Sequence, residues 1–410
     1  MDFATGDLST GRECNLTTWN AMSRTILMLG GYGNAGVRIA RLLLRESDVR
    51  LVLAGRSAAR AGLIADRLNR ESKSSRVSGT LVDVAEPRLL RKALDGVDLL
   101  VMASSTVAQT AQSARVAIDA QVDWFDIQSA ERKLVALRAL REEIEEAGRC
   151  FITDGGFHPG LPAALVRFGS TFLDRLQRAS IGMALKLDWR ELEVSAATIR
   201  EFVEEVALHR PQVFDHGEWK ASPSWRTRAM AFGAPIGRRR AAPVMVDELR
   251  GLPEQYPALI ELNCWAAGFN WFVDWVGFGA GGVALRALGQ RAVPAVSRVV
   301  RFGLRRFSRP PWGAIMLVEA GGWKKGRLVG VRGAVSHWDA YELTAIPAAA
   351  TLLQYLDGSI RRPGLWQQGL VVDPRRFMAD LERLGATVEY GLDVQTGGAT
   401  GGVDRKRWGQ

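Results

Sequence analysis

The chain has 410 residues, 47% of them hydrophobic, and a formal net charge of +10. That is too long for one small domain, and at 24% charged residues it is not a disordered polymer. Cys14, Cys150 and Cys264 are widely separated, so neither a disulfide scaffold nor a thiolate zinc site is readable, and a reducing cytosol is expected.

Residues 1–22 are polar and lack an apolar run; they read as a disordered extension, not a signal peptide. A βα alternation follows. Thr25–Leu29 reads as a strand, then a glycine turn and a helix through Arg45. Val49–Ala54 is a second strand, and Ala58–Asn69 a helix with Leu63, Ile64 and Leu68 on one face. Ser78–Val84 and Val97–Ala103 read as strands, the latter continuously apolar as in a sheet buried on both faces. Thr106–Ala120 is helical, Trp124–Ile127 a strand, Glu131–Ala147 an amphipathic helix and Cys150–Thr153 a strand. The pattern predicts an α/β fold, a doubly wound (Rossmann) parallel sheet over 23–165.

After about residue 175 the texture becomes α+β, and eleven of the thirteen tryptophans lie from Trp189 onward. Gly313–Ala320 and Arg327–Val335 read as an antiparallel pair joined by a glycine-lysine turn. Tyr341–Leu356 is a long helix, kinked or restarted at Pro347, and Pro374–Leu384 a terminal helix. The expectation is an inserted α+β substrate or dimerisation domain over 166–339, a return to the first domain over about 340–390, and a flexible tail over 391–410.

Gly31-Tyr32-Gly33-Asn34-Ala35-Gly36 is a G-x-G-x-x-G between strand and helix, the context that makes the motif specific. Gly31 is expected to permit the tight turn and Gly33 to let the backbone approach a pyrophosphate. Gly36 lets the helix pack on the strand, with the helix N-terminus facing the phosphate charge. An NAD site places an acid about 20 residues further on, for the ribose hydroxyls. Here the second strand ends Ala54-Gly55-Arg56-Ser57, with Arg60 a turn beyond. A cation beside a hydroxyl suits a 2′-phosphate, so NADP is expected over NAD. Asp83 is a candidate adenine-side contact, or a turn residue. Ser104 and Ser105, after the fourth strand, are candidates for the pyrophosphate or nicotinamide ribose, or for capping the next helix.

No tyrosine is followed four residues on by lysine, which excludes short-chain dehydrogenase chemistry, and the four histidines and three cysteines make no zinc pattern. Cys150 opens a buried strand and reads as core. Asp126, Asp154 and His158 follow strands of the first sheet on its ligand-binding edge. They are the candidate catalytic residues: His158 to exchange a proton near neutral pH, or a turn histidine before Pro159; Asp126 to orient a cationic amine, or to cap the following loop; Asp154 as a third candidate on the same edge.

Gly30–Gly36 with the Ala54-Gly55-Arg56 strand end resembles the saccharopine dehydrogenase-like group of NADP-binding oxidoreductases. So do Trp124-Phe125-Asp126, the run Asp154-Gly155-Gly156-Phe157-His158-Pro159-Gly160-Leu161-Pro162, Phe269-Asn270-Trp271 and the C-terminal Ile346–Ala349, Leu356–Gly358 and Pro363-Gly364. The resemblance spans roughly 25–390. It implies a Rossmann domain with an inserted mixed domain, and hydride exchange between NADP(H) and a small imine, carbonyl or amino-acid-like carbon. A homodimer and a small-molecule substrate are expected. The chain departs from that group at His158, where saccharopine reductases carry an acid, and at Ser104-Ser105. A non-catalytic NADP(H)-binding sensor or scaffold is the alternative.

The charge is uneven. Only eight of the 54 basic residues are lysines, and seven arginines fall between Arg286 and Arg309 without an acid. Upstream, Cys264–Leu285 holds Asp274 as its one charged residue and five glycines. A buried or lid helix is expected there; a peripheral membrane contact through 264–309 is the alternative. No nucleic-acid-binding motif accompanies the arginines.

Overall fold

The computed structural model describes residues 23–192, 196–223, 225–394 and 404–407. The first 22 residues, expected to be a disordered extension, lie outside them. Strands β1 (Thr25–Leu29), β2 (Arg50–Gly55), β3 (Val77–Leu81), β4 (Leu99–Met102), β5 (Asp123–Asp126) and β6 (Cys150–Thr153) alternate with helices. They pair in parallel in the order β6-β5-β4-β1-β2-β3. The winding direction therefore reverses between β1 and β4, which opens a crevice at their carboxyl ends. β4, β5 and β6 are buried along their whole length, as an apolar strand covered by helices on both faces must be.

The second sheet is built from β7 (Arg175–Lys186), β8 (Gln212–Asp215), β9 (Glu218–Ala221), β10 (Arg228–Ala231), β11 (Arg238–Val244), β12 (Glu261–Ala267), β13 (Gly313–Lys324) and β14 (Arg327–His337). It is mixed: β7 runs parallel to β12 and antiparallel to β13. The β13–β14 hairpin turns on Lys325 (φ 48°) and Gly326 (φ 73°), the left-handed pair that matches strand twist.

The C-terminal segment divides between the two sheets. β15 (Gly364–Gln367) adds beside β6 as the seventh strand of the first sheet. It is held there by Asp123, fully buried at the start of β5, which accepts from Tyr355 Oη at 2.7 Å, Arg361 Nε at 2.8 Å and the Cys150 N–H at 3.0 Å. β16 (Thr387–Val394) then pairs with β14 in the second sheet, and β17 (Asp404–Arg407) with β16. The stretch expected to be loose from 391 thus begins as a strand; residues 395–403 and 408–410 lie outside the described residues.

One core joins the sheets. The helix Leu161–Ser170 is buried on almost every side between them, and the helix Ala340–Leu356 packs against the helices Asn34–Glu46 and Pro374–Leu384. The latter runs unbroken through Pro347. Asp339 caps its start, and burial of Leu343, Ile346 and Ala348–Leu352 offsets the backbone bond that proline removes. The amphipathic segment from Glu131 divides into helices Glu131–Arg138 and Arg141–Glu146. Leu63, expected on an apolar face, is exposed, while Ala61, Ala65 and Leu68 are buried.

Candidate functional site

The turn after β1 is crowded where no ligand would sit and open where one would. Gly30, rather than Gly31, takes the left-handed conformation (φ 79°), and a Cβ there would lie 2.5 Å from the Ala103 carbonyl oxygen. A Cβ on Gly36 would lie 2.4 Å from the Gly30 carbonyl oxygen, so only glycine lets the helix Asn34–Glu46 sit this close to β1. No side chain caps that helix, and no acid occupies its first turn. The N–H groups of Asn34, Ala35 and Gly36 are therefore left for an anion.

At the far end of the crevice, Tyr32 lies against Gly55 and the Arg60 guanidinium stands 5.3 Å from the Tyr32 ring. Arg56 is exposed and makes no ion pair among the described residues. Ser57 caps the helix Ala58–Ser72 by accepting from the Arg60 N–H. Asp83 accepts from the Ala85 N–H at 3.0 Å, the geometry of a turn. Ser105 is exposed, and neither Ser104 nor Ser105 caps the helix beyond. Ser104 Oγ instead meets Thr106 Oγ1 at 3.2 Å, and Gln128 donates to both Ser104 O and Thr106 Oγ1.

Gln128 opens a polar chain along the carboxyl edge of the sheet. Asp126, at the end of β5, and Asp154, just past β6, are fully buried and are joined by one ammonium. Lys133 Nζ donates to Asp126 Oδ1 at 2.8 Å, to Asp154 Oδ1 at 2.6 Å and to the Gln128 carbonyl. Trp124 Nε1 donates to Asp126 Oδ2 at 2.8 Å, and Gln367 Nε2 to Asp154 Oδ2 at 2.8 Å. Gln367, only half-buried, also reaches Asp247, which pairs with Arg138. Burial works against the Lys133 charge, but the two carboxylates overcome it and hold its pKa above the ordinary lysine value. Two carboxylates facing one ammonium leave an excess negative charge in a dry site. Burial accordingly raises the Asp154 pKa above the ordinary aspartate value, against the pull of Lys133. Asp154 also sits in the left-handed region (φ 59°), strained for a non-glycine residue.

His158 does not fit the role its position suggested. Its Nε2 is enclosed with no hydrogen-bond partner among the described residues, and burial, with His209 nearby, pushes its pKa down to about 4. At neutral pH the ring is uncharged, so the expected proton exchange near pH 7 is not available in this conformation. Glu248, on the turn Asp247–Gly251, is fully buried. It accepts from the Gly160 N–H at 3.0 Å at the head of the helix Leu161–Ser170, and burial pushes its pKa up to about 8. Cys150 is core, its thiol pushed up to about 11 by burial.

Lys133, Gln128, Gln367 and Glu248 were not singled out in the sequence. Lys133 had a signal: it stands beside Leu134 and four residues before Leu137 on the buried face of its helix, where a lysine needs partners. Gln128 lies in a loop, Gln367 ends a four-residue strand and Glu248 sits on a five-residue turn, each too short to show periodicity.

Residues 26–152 match the model of the saccharopine dehydrogenase NADP binding domain. No curated protein matches the chain. Among solved structures, saccharopine dehydrogenase (L-Glu forming) from Saccharomyces cerevisiae aligns with a TM-score of 0.64 at 15% identity, over 90% of this chain and 100% of that one. A myo-inositol dehydrogenase from Corynebacterium glutamicum gives 0.45 at 11% identity, over 88% and 95%. The diaminopimelate (DAP) dehydrogenase of C. glutamicum gives 0.45 at 13% identity, over 87% and 95%. At these identities the likeness to the yeast enzyme is one of fold.

Proposed function

We propose, from the match of residues 26–152 to the saccharopine dehydrogenase NADP binding domain, that the chain is an NADP(H)-dependent oxidoreductase, passing a hydride to or from a small imine, carbonyl or amino-acid-like carbon. One observation carries the reading: an uncapped helix N-terminus behind a glycine turn and a buried two-carboxylate, one-ammonium cluster share one sheet edge. The turn at Gly31, Gly33 and Gly36 and the first turn of the following helix would hold the pyrophosphate. Arg56 and Arg60 would take the 2′-phosphate, with Tyr32 as the wall between them. The bound cofactor supplies or accepts the hydride. Asp154, its pKa raised by burial, would exchange the proton that a reduced amine or alcohol requires. Lys133 and Gln367 keep its carboxyl in place, and Asp126 fixes Lys133.

A second reading rests on a different observation. Asp126 and Asp154 are 0% and 1% exposed, so in this conformation neither carboxyl reaches the crevice. That favours a sensor or scaffold that binds NADP(H) without turnover. Fluorescence titration with NADPH and NADH, on the wild type and Arg56→Ala, tests the cofactor assignment. Loss of one charge-assisted bond of about 1.5–3 kcal/mol should weaken NADPH binding on the order of tenfold to a hundredfold and leave NADH unchanged. Unchanged NADPH affinity removes Arg56 from the site. A screen of carbonyl and imine substrates with wild type and Asp154→Asn then separates the two readings. NADPH oxidation lost in the variant supports the enzyme; tight binding without turnover on any substrate supports the sensor.

A further inference from the structure

The segment after β12 turns one apolar side inward and a second outward. Val273, Val293, Val296, Val300 and Leu304 pack on Ile199 and Val203 of the helix Ala196–Leu208. The expected buried helix is thus only half buried. Its outer side leaves Trp271 60%, Trp275 78%, Val283 65%, Leu288 60% and Phe302 56% exposed. These are not scattered. Phe272 stacks on Phe307 at 4.8 Å and meets Phe302 edge-on at 5.8 Å, and Trp271 lies 5.2 Å from Phe307.

The arginines surround this aromatic cluster. On the helix Val293–Phe307, Arg298, Arg301, Arg305 and Arg306 share the outer face with Val299 and Phe302, and Arg309 follows. No acid occurs between residues 275 and 318. None of the seven arginines from Arg286 to Arg309 pairs with a carboxylate among the described residues. A hollow of about 230 Å³ opens between Arg190, Arg301 and Arg305. A second hollow lies between Arg190, Arg306 and Arg309. Guanidinium forks lining a concavity suit phosphate oxygens.

We propose that the outer face of 271–309 is a docking surface for an anionic phospholipid bilayer. The arginines engage headgroup phosphates, and Trp271, Trp275, Leu288 and Phe302 enter the interfacial layer. The pairing of charge and apolar surface selects this occupant. A second copy docking through the same face would set arginine against arginine with no acid to meet them. Nucleic acid would meet the arginines but leave Val276, Val283 and Leu288 in water. Among the described residues no helix is long and apolar enough to cross a membrane, so the face lies on the surface rather than spanning it. The docking surface does not depend on the oxidoreductase reading; only the NADPH-affinity control of fold in its test rests on the cofactor assignment.

The test is co-sedimentation of the full chain with vesicles of phosphatidylcholine alone and of phosphatidylcholine mixed with phosphatidylglycerol. Binding should need the anionic lipid and weaken with salt. Each arginine lost near the surface weakens the attraction, so the triple variant Arg301→Glu, Arg305→Glu, Arg306→Glu should lose at least about tenfold in partitioning. The double variant Trp271→Ala, Trp275→Ala should lose the part of the binding that survives high salt. NADPH affinity should be unchanged in both variants, which shows that their fold is intact. Equal sedimentation with the two vesicle types, or no loss in the triple variant, overturns the proposal. So does duplex DNA binding that the triple variant loses while vesicles are not bound.

Discussion

Two regions of the molecule carry concentrated charge and treat it in opposite ways. Around Lys133 one ammonium, sealed from water, lies within 2.8 Å of each of two carboxylates. On the helix Val293–Phe307 the arginines stand in solvent, with no carboxylate partner among the described residues. In the first region every charge is needed, because its partners would otherwise be ionised and dry. In the second, solvent screens each charge and the fold gains little from any of them. Seven arginines thus add to the net charge of +10 without an ion pair among the described residues, while Lys133, which barely alters the count, is buried between two carboxylates.

Breaking the dry cluster should have the largest effect. Lys133→Met fits the same space but leaves two buried carboxylates without a cation, a loss of about 3–5 kcal/mol. Urea unfolding at pH 7 measures it. The deficit should shrink as the pH falls and the stranded carboxyls take up protons. A loss under about 1 kcal/mol at pH 7 would mean that water reaches the cluster, and the contrast between the regions would fail.

Next come the lone buried groups, where the sign of the pH dependence is the test. Glu248 has a folded pKa raised from 4.5 to about 8, so the native state holds its proton more tightly than the unfolded chain. Its contribution is full below pH 4.5 and is lost as the pH rises through about 8. Glu248→Gln keeps an acceptor for the Gly160 N–H and cannot ionise. It should match the wild type at pH 5 and exceed it at pH 9 by on the order of 3 kcal/mol. His158 runs the other way. Its pKa falls from 6.5 to about 4, so its contribution is full above 6.5 and is lost towards 4. His158→Phe should remove that acid-side loss, on the order of 2–3 kcal/mol, from unfolding curves taken at pH 4 and pH 7.

What the sequence made legible follows the same division between local and non-local causes. The glycine turn, the strands β1 to β6 and the position of Arg56 rest on patterns confined to a few neighbouring residues. Asp126 and Asp154 were found because both end strands of one sheet. Lys133, which joins them, lies on a helix between the strands, and only the third dimension shows that its amine reaches both. β15 is four residues long and comes from far along the chain. Its place beside β6 is set by Asp123 and Arg361, a contact without sequence periodicity. The enclosure of the His158 ring and the outward placing of Trp271 and Trp275 were not legible for one reason: apolar or titratable character shows in a sequence, but the element packed against it does not.

The smallest effect is expected on the arginine face, and its smallness is what matters. Arg298 and Arg301 are three residues apart on one helix, and Arg301 and Arg305 four, so like charges face each other along the outer surface. Such pairs each cost a few tenths of a kcal/mol in water. Arg301→Gln with Arg305→Gln breaks no ion pair among the described residues. It should therefore shift stability by less than about 0.5 kcal/mol, and in the stabilising direction. The gain should fade as salt rises, since the screening length drops from about 10 Å at 0.1 M to about 3 Å at 1 M. Urea midpoints at the two salt concentrations decide it. A destabilisation above about 1 kcal/mol would make the arginines part of the fold and erase the difference from the Lys133 cluster. A small stabilisation leaves the repulsion uncompensated within the molecule, and an anion from outside is then what relieves it.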